Sequence, residues 1–246
     1  DSRPANFVIA GGTGSGKTTT LNCLGMFIPW HRRLLTVEDT AELQVYHDHW
    51  LRMETRRQRP DGTAEVDMND CLKSSLRMRP DRIIVGEVRG PEAATLLTAM
   101  NTGHDGSFGS LHANTAQETV TRMINPPMNV PPIMLSGLDL IIIQARLHIN
   151  GKTARKITEV AEIAGMEGDK PRLNIIWKYN ATTDQIEETG IPSKLREIIC
   201  KAAGVSPDIF EKHVSQRQAI IKDLAQRDIH DIQTVTQVIQ NFYASR

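Results

Sequence analysis

Eight residues near the start of the chain, Gly11-Gly12-Thr13-Gly14-Ser15-Gly16-Lys17-Thr18, constrain most of what can be built around them. They fit G-x-x-x-x-G-K-[ST], a pattern that cradles phosphate only where a strand enters it and a helix leaves it. Both flanks are present. Asn6-Phe7-Val8-Ile9-Ala10 is a short apolar run, as expected of a strand buried on both faces of a parallel sheet. The stretch from Thr18 to Met26 can open a helix whose N–H groups point at the anion. Glycines let the loop turn tightly and aim its amides inward. Lys17 supplies a point charge for β- and γ-phosphate oxygens, and the Thr18 hydroxyl suits Mg²⁺. Gly12, Thr13, Gly14, Ser15, Gly16, Lys17, Thr18 and Thr19 are the candidate nucleotide-binding residues. A glycine-rich turn with a chance lysine is the alternative, and strand, helix and hydroxyl all count against it.

The rest of the pattern is strand–helix alternation. Leu34–Val37, Arg82–Glu87, Phe108–His112 and Leu138–Ala145 read as further strands. Asp67–Met78, stopped by Pro80, reads as a helix with Met68, Cys71, Leu72, Ser75 and Leu76 on one face. Glu92–Met100 after Pro91 and Gln117–Ile124 read the same way. Arg52–Arg59 is a basic stretch before a turn at Pro60-Asp61-Gly62. This grammar predicts an α/β fold with a mainly parallel sheet to about residue 150. Beyond it, Ala154–Ile163, Leu173–Tyr179 and Gln185–Glu188 suggest a small antiparallel extension, with turns at Gly165–Lys170 and Asn180–Asp184. From Pro192 the chain reads as helical, with Leu195, Ile198, Ile199 and Ala202 on one face and a helix start at Ser206-Pro207. The expected division is 1–190 for the nucleotide domain with its extension and 191–246 for a helical subdomain.

Charge narrows the partners. The 246 residues carry 29 Lys and Arg against 29 Asp and Glu, which argues against coating nucleic acid by charge alone. No run of 18 apolar residues occurs, and no signal peptide opens the chain. Cys23, Cys71 and Cys200 have no pairing or metal spacing, which suits a reducing compartment and buried small hydrophobes. The chain opens at Asp1 with its phosphate loop ten residues in, so the expectation is the nucleotide-binding part of a longer protein.

Hydrolysis also needs a group that positions water. Glu87 follows the strand Ile83-Ile84-Val85-Gly86 and would face the crevice where open α/β sheets bind ligands; a solvated strand-end acid is the plainer reading. Gly86 stands where an aspartate commonly precedes such a glutamate. Glu38-Asp39-Thr40-Ala41-Glu42 ends the second strand. Its acids could hold Mg²⁺ waters or orient the attacking water, or Asp39 or Thr40 could merely cap a helix; the pattern favours neither. His104 and His112 lack zinc spacing, and a strand-end histidine can donate to a γ-phosphate or simply sit satisfied at the surface. Arg52, Arg56, Arg57, Arg59, Arg77, Arg79, Arg82 and Arg89 cluster; some could act as arginine fingers, although a surface salt bridge is the default for any one. Read as a nucleic-acid groove, the cluster lacks interleaved aromatics.

Four blocks in order, GGTGSGKTT at 11–19, TVEDTAEL at 36–43, LRMRPDRIIVGEVRG at 76–90 and TGHDGSFGSLHAN at 102–114, resemble the Walker A, Asp box, atypical Walker B and His box of the type II/type IV secretion ATPase superfamily. A glycine before the glutamate is normal there. The resemblance implies a RecA-like core and a hexameric ATP-driven motor for pilus assembly, archaellum assembly and rotation, or protein export. ATP and Mg²⁺ are its implied cofactors. It implies that Glu87, Glu42 and His112 are catalytic, that Thr18, Glu38 and Asp39 serve the metal, and that Arg77, Arg79 and Arg52 are candidate fingers. Its implied partners are further copies of the chain, a polytopic membrane platform protein and the protein's own N-terminal domain, with no nucleic acid. The implied place is the cytoplasm, at the cytoplasmic face of the membrane. Without the N-terminal domain, this stretch is expected to hydrolyse and assemble weakly. The absence of CxxC sets aside the bacterial exporters with a tetracysteine element, and Asn125–Leu135 looks most like archaellum motors. A DNA translocase is the rival from another class. A GTPase is disfavoured because no N-K-x-D occurs.

Overall fold

The computed structural model describes residues 4–149 and 151–244. Short apolar runs become parallel strands: β1 (Phe7–Ala10), β2 (Leu34–Glu38), β3 (Trp50–Glu54), β4 (Arg82–Val85), β5 (Phe108–Leu111) and β6 (Leu140–Ile149). β7 (Lys152–Glu167), β8 (Lys170–Asn180) and β9 (Gln185–Glu188) add on antiparallel. All nine belong to one sheet ordered β3-β2-β4-β5-β1-β6-β7-β8-β9. The expected antiparallel group is therefore a continuation of the central sheet, because β6 runs past β1 and pairs with β7 over its whole length. Gly165 lies inside β7 rather than in the expected turn.

Side-chain alternation divides the core into two layers. Val8, Ala10, Leu35, Val37, Ile83 and Val85 face helices α2 (Met68–Ser75), α3 (Glu92–Asn101) and α4 (Ala116–Ile124). Ile9, Leu34 and Ile84 face the other way, onto Leu21 of α1 (Lys17–Gly25). Parallel strands with helices on both faces confirm the expected α/β architecture. β3 went unread in the sequence because it is an edge strand: Leu51, Arg52 and Glu54 are exposed, and only Trp50 and Met53 turn inward. Cys71 and Cys200 are buried as expected, but Cys23 is exposed on α1, so the reading of all three as buried hydrophobes fails there.

Helix ends follow their cap residues. Asp67 and Asp70 form a capping box at α2, and Thr115 accepts from the Glu118 amide at α4. Ser193 opens α5 (Lys194–Ala203), and Ser206 with Pro207 opens α6 (Pro207–Gln226) at the expected place. On α5 the buried residue is Cys200, whereas Ala202 is exposed. The last helix, α7 (Ile232–Ala244), is pinned to the turn after α1 by buried Gln240. Its amide donates to the Met26 and Ile28 carbonyls at 3.0 and 2.8 Å and accepts from the Trp30 N–H at 3.2 Å.

Asn6, wholly buried, ties the start of β1 to three distant segments. Its amide donates to the Gly137 and Met100 carbonyls at 2.9 and 3.3 Å. Its oxygen accepts from the Gly106 and Ser107 amides at 2.7 and 3.2 Å. Asn6→Ala would leave several of these backbone groups dry and unpaired, at a cost of about 3 kcal/mol. Urea unfolding should show the drop as a lowered midpoint; an unchanged midpoint would refute the assignment.

Candidate nucleotide site

The phosphate loop lies where β1 gives way to α1. Gly16, the cap of α1, has φ 96°, a left-handed conformation that side chains resist. Its neighbour Lys17 folds back, Nζ donating to the Gly11 and Gly12 carbonyls at 2.9 and 3.2 Å. Burial lowers the Lys17 pKa; the Glu87 charge opposes this and the Arg89 charge adds to it. Ser15 is buried, its hydroxyl unpaired among the described residues, while Thr13, Gly14 and Thr19 are exposed. The sequence reading missed the far side of the loop. There the β6–β7 ribbon brings up Gln144, whose Oε1 accepts from Thr20 Oγ1 at 2.9 Å, and Arg155, whose Nε donates to the Gly14 carbonyl at 3.0 Å. A register shift after Ile143 accompanies this approach. No local motif announces these residues, since they reach the loop only through strand pairing.

The acidic box has no regular structure beyond Glu38, which removes the helix-cap alternative for Asp39 and Thr40. Side chains hold its backbone instead. Glu38 Oε1 accepts from the Glu42 and Leu43 amides at 3.0 and 2.8 Å. Asn22 accepts from the Gln44 amide at 2.9 Å, and Arg52 donates to the Leu43 carbonyl. Leu43 is fully buried. Glu42 thereby projects to the loop, Oε2 accepting from Thr18 Oγ1 at 3.2 Å. Asp39 stands on the rim, mostly exposed, accepting from Thr55 Oγ1 at 3.1 Å.

Glu87 sits between Arg89 and His112. Arg89 donates to its Oε2, and His112 Nε2 lies 2.8 Å from its Oε1. Burial raises its pKa, but the Arg89 hydrogen bond and the charges of Arg89, His112 and Lys17 outweigh this, and the carboxyl ends below the ordinary glutamate value. The segment carrying it is stitched to β5: Ser110 Oγ donates to the Gly86 carbonyl at 2.6 Å, and the Val88 amide donates to the Ser110 carbonyl at 2.7 Å. Buried Glu92 accepts from the Arg89 and Gly90 amides at 2.6 and 2.8 Å.

Lys17, Thr18, Glu38, Asp39, Glu42 and Glu87, among others, line one cavity of about 510 Å³ at the C-terminal edge of the sheet. Arg56 and Arg57, members of the arginine cluster that were not singled out as finger candidates, also line it, because β3 delivers them there. Among the three finger candidates, Arg52 is engaged within its own chain, 3.8 Å from Glu38 Oε2 and stacked over Trp50. Arg77 and Arg79 are exposed just before β4, at the edge where the parallel strands begin, away from the cavity. His104 lies at that edge too, Nδ1 donating to the Pro80 carbonyl at 2.9 Å, so it does not join His112 in the site. No group of three or more metal-ligating side chains stands together among the described residues. A nucleotide-bound Mg²⁺ needs only one or two protein oxygens beside phosphates and waters, and Thr18 with Glu42 supplies hard oxygens next to the loop.

Comparison with known proteins agrees with this arrangement. Residues 1–237 match the family model described as type II/IV secretion system protein. An uncharacterized protein of Methanocaldococcus jannaschii is 34% identical over 221 residues, covering 89% of this chain and 81% of that protein. A putative conjugal transfer protein of Mycobacterium tuberculosis is 39% identical over 166 residues, 66% of this chain and 47% of the relative. The VirB11 ATPase of the Brucella suis type IV secretion system, solved with sulphate, superposes with a TM-score of 0.54 at 30% identity, over 64% of this chain and 48% of that one. The chain thus spans about half the length of several relatives. No helix among the described residues is long and apolar enough to cross a membrane. With the family model matched over nearly its whole length, the chain belongs to the type II/IV secretion system protein family.

Proposed function

We propose that this chain carries the ATP-hydrolysing site of a hexameric secretion- or appendage-type motor, working with Mg²⁺ against a membrane platform protein at the cytoplasmic face of the membrane. The observation that carries the reading is convergence: Lys17 from the loop, Glu42 bonded to Thr18, and Glu87 beside His112 all meet in one cavity. Lys17 exchanges its two loop carbonyls for phosphate oxygens, and the loop amides take the rest of the charge. Thr18 and Glu42 would hold Mg²⁺, which neutralises charge on the β- and γ-phosphates when bound. His112 turns to the γ-phosphate, which frees a Glu87 oxygen to orient the attacking water. The water oxygen bonds to the γ-phosphorus, the bond to the bridging oxygen breaks with its electrons leaving on ADP, and both water protons leave with the dihydrogen phosphate formed. Arg56 and Arg57 stand closer to this chemistry than Arg77 or Arg79, which support it only from a neighbouring subunit. The relatives named for conjugal transfer and type IV secretion support the export branch.

In the full-length protein, Glu87→Gln should lower steady-state ATP turnover by about 10²–10⁴-fold while leaving ATP affinity within a few-fold; unchanged turnover would sink the assignment. Lys17→Ala should instead abolish tight ATP binding in calorimetry. Glu87 also predicts a pH dependence of stability. Its folded pKa lies below the unfolded value of about 4.3, so its contribution is present above that pH and is lost as pH falls through the lowered value. Glu87→Gln should therefore flatten part of the acid decline in urea midpoints; parallel curves for the two proteins would contradict it.

A further inference from the structure

We propose that Glu38 is a positioning residue for Glu42 rather than a direct metal ligand, and that residue 86 is glycine because Glu38 occupies the space beside it. The proposal rests on the hydrolase reading for its consequence, though not for its geometry. Parallel pairing of β2 with β4 sets Val37 opposite Val85, so the next residues, Glu38 at the end of β2 and Gly86 just past β4, stand side by side. A Cβ on Gly86 would stand 3.0 Å from Glu38 Cγ and 3.5 Å from Oε1, closer to the former than side chains tolerate without movement. That Oε1 accepts both the Glu42 and Leu43 amides. Only 2% of Glu38 is exposed, and its other oxygen is buried without a hydrogen-bond partner among the described residues, 3.8 Å from Arg52 Nε. Arg52 in turn holds the Leu43 carbonyl. Glu38 and Arg52 thus grip both polar faces of a segment that no helix or ladder supports, and Glu42 reaches Thr18 from that grip. A side chain at residue 86 would push on the very carboxylate that makes it.

The test uses the full-length protein with Glu38→Ala, Glu38→Gln and Gly86→Ala. Glu38→Ala should cut hydrogen-exchange protection of the Glu42 and Leu43 amides by at least about tenfold, the loss expected of hydrogen bonds to a charged group. Turnover should fall about tenfold or more, with ATP affinity changed less than about threefold, since Glu42 acts on the reacting centre. Glu38→Gln should restore much of the protection, because its carboxamide oxygen accepts the same two amides. Gly86→Ala should reproduce the loss, and it serves where Glu38→Ala does not fold. Wild-type protection in Glu38→Ala, or equal exchange in the Ala and Gln variants, overturns the proposal, as does lost protection with unchanged turnover. Lost protection in a protein whose unsubstituted form has no turnover overturns the hydrolase reading instead and leaves the grip on the segment standing.

Discussion

The structure depends on one constraint: a backbone amide taken from water must be paired, even where the chain has no regular structure. Parallel strands release the chain at one edge of the sheet, and the segments that leave there line the candidate site. Their amides find side chains instead of ladders. Glu38 serves residues 42 and 43, Glu92 serves 89 and 90, and Asn22 serves 44. At the opposite edge Asn6 does the same for 106 and 107, and Gln240 for 30. These polar groups are buried or half-buried, and their hydrogen bonds offset the cost of burying them.

Charge is organised the same way. Glu87 would be an ill-placed anion so near the sheet's end, yet Arg89 donates to it, His112 stands beside it and Lys17 lies in range. The candidate site is therefore built of alternating charge. An enzyme that stabilises charge on a transferring phosphoryl needs this arrangement, because dipoles and charges fixed in advance cost nothing to reorient.

Much of this was legible in the residues. The phosphate loop carried its own context, since strand, glycines, lysine and hydroxyl sit within a dozen positions. Glu87 was legible because a carboxylate after four apolar residues has one natural place. β3 was not, because its apolar side is only Trp50 and Met53, too sparse for a strand signal. With it went Arg56 and Arg57, whose place at the cavity depends on that strand. His104 and His112 looked alike in sequence; one falls where a strand begins and the other where it ends, and only pairing separates them.

The sequence alone determined local features: a loop of the phosphate-binding pattern, the helix behind it, the helix start at Ser206-Pro207, and the acids and histidine at strand ends. These follow from neighbours along the chain, where geometry is short-range. Tertiary structure decided which of those groups meet. It set Glu38 against Gly86 through parallel register, brought Gln144 and Arg155 to the loop through a ribbon more than a hundred residues away, and engaged Arg52 with Trp50 and Glu38 of its own chain. The physical reason is that strand pairing joins positions far apart in sequence, and a side chain's role is settled by what pairing places next to it.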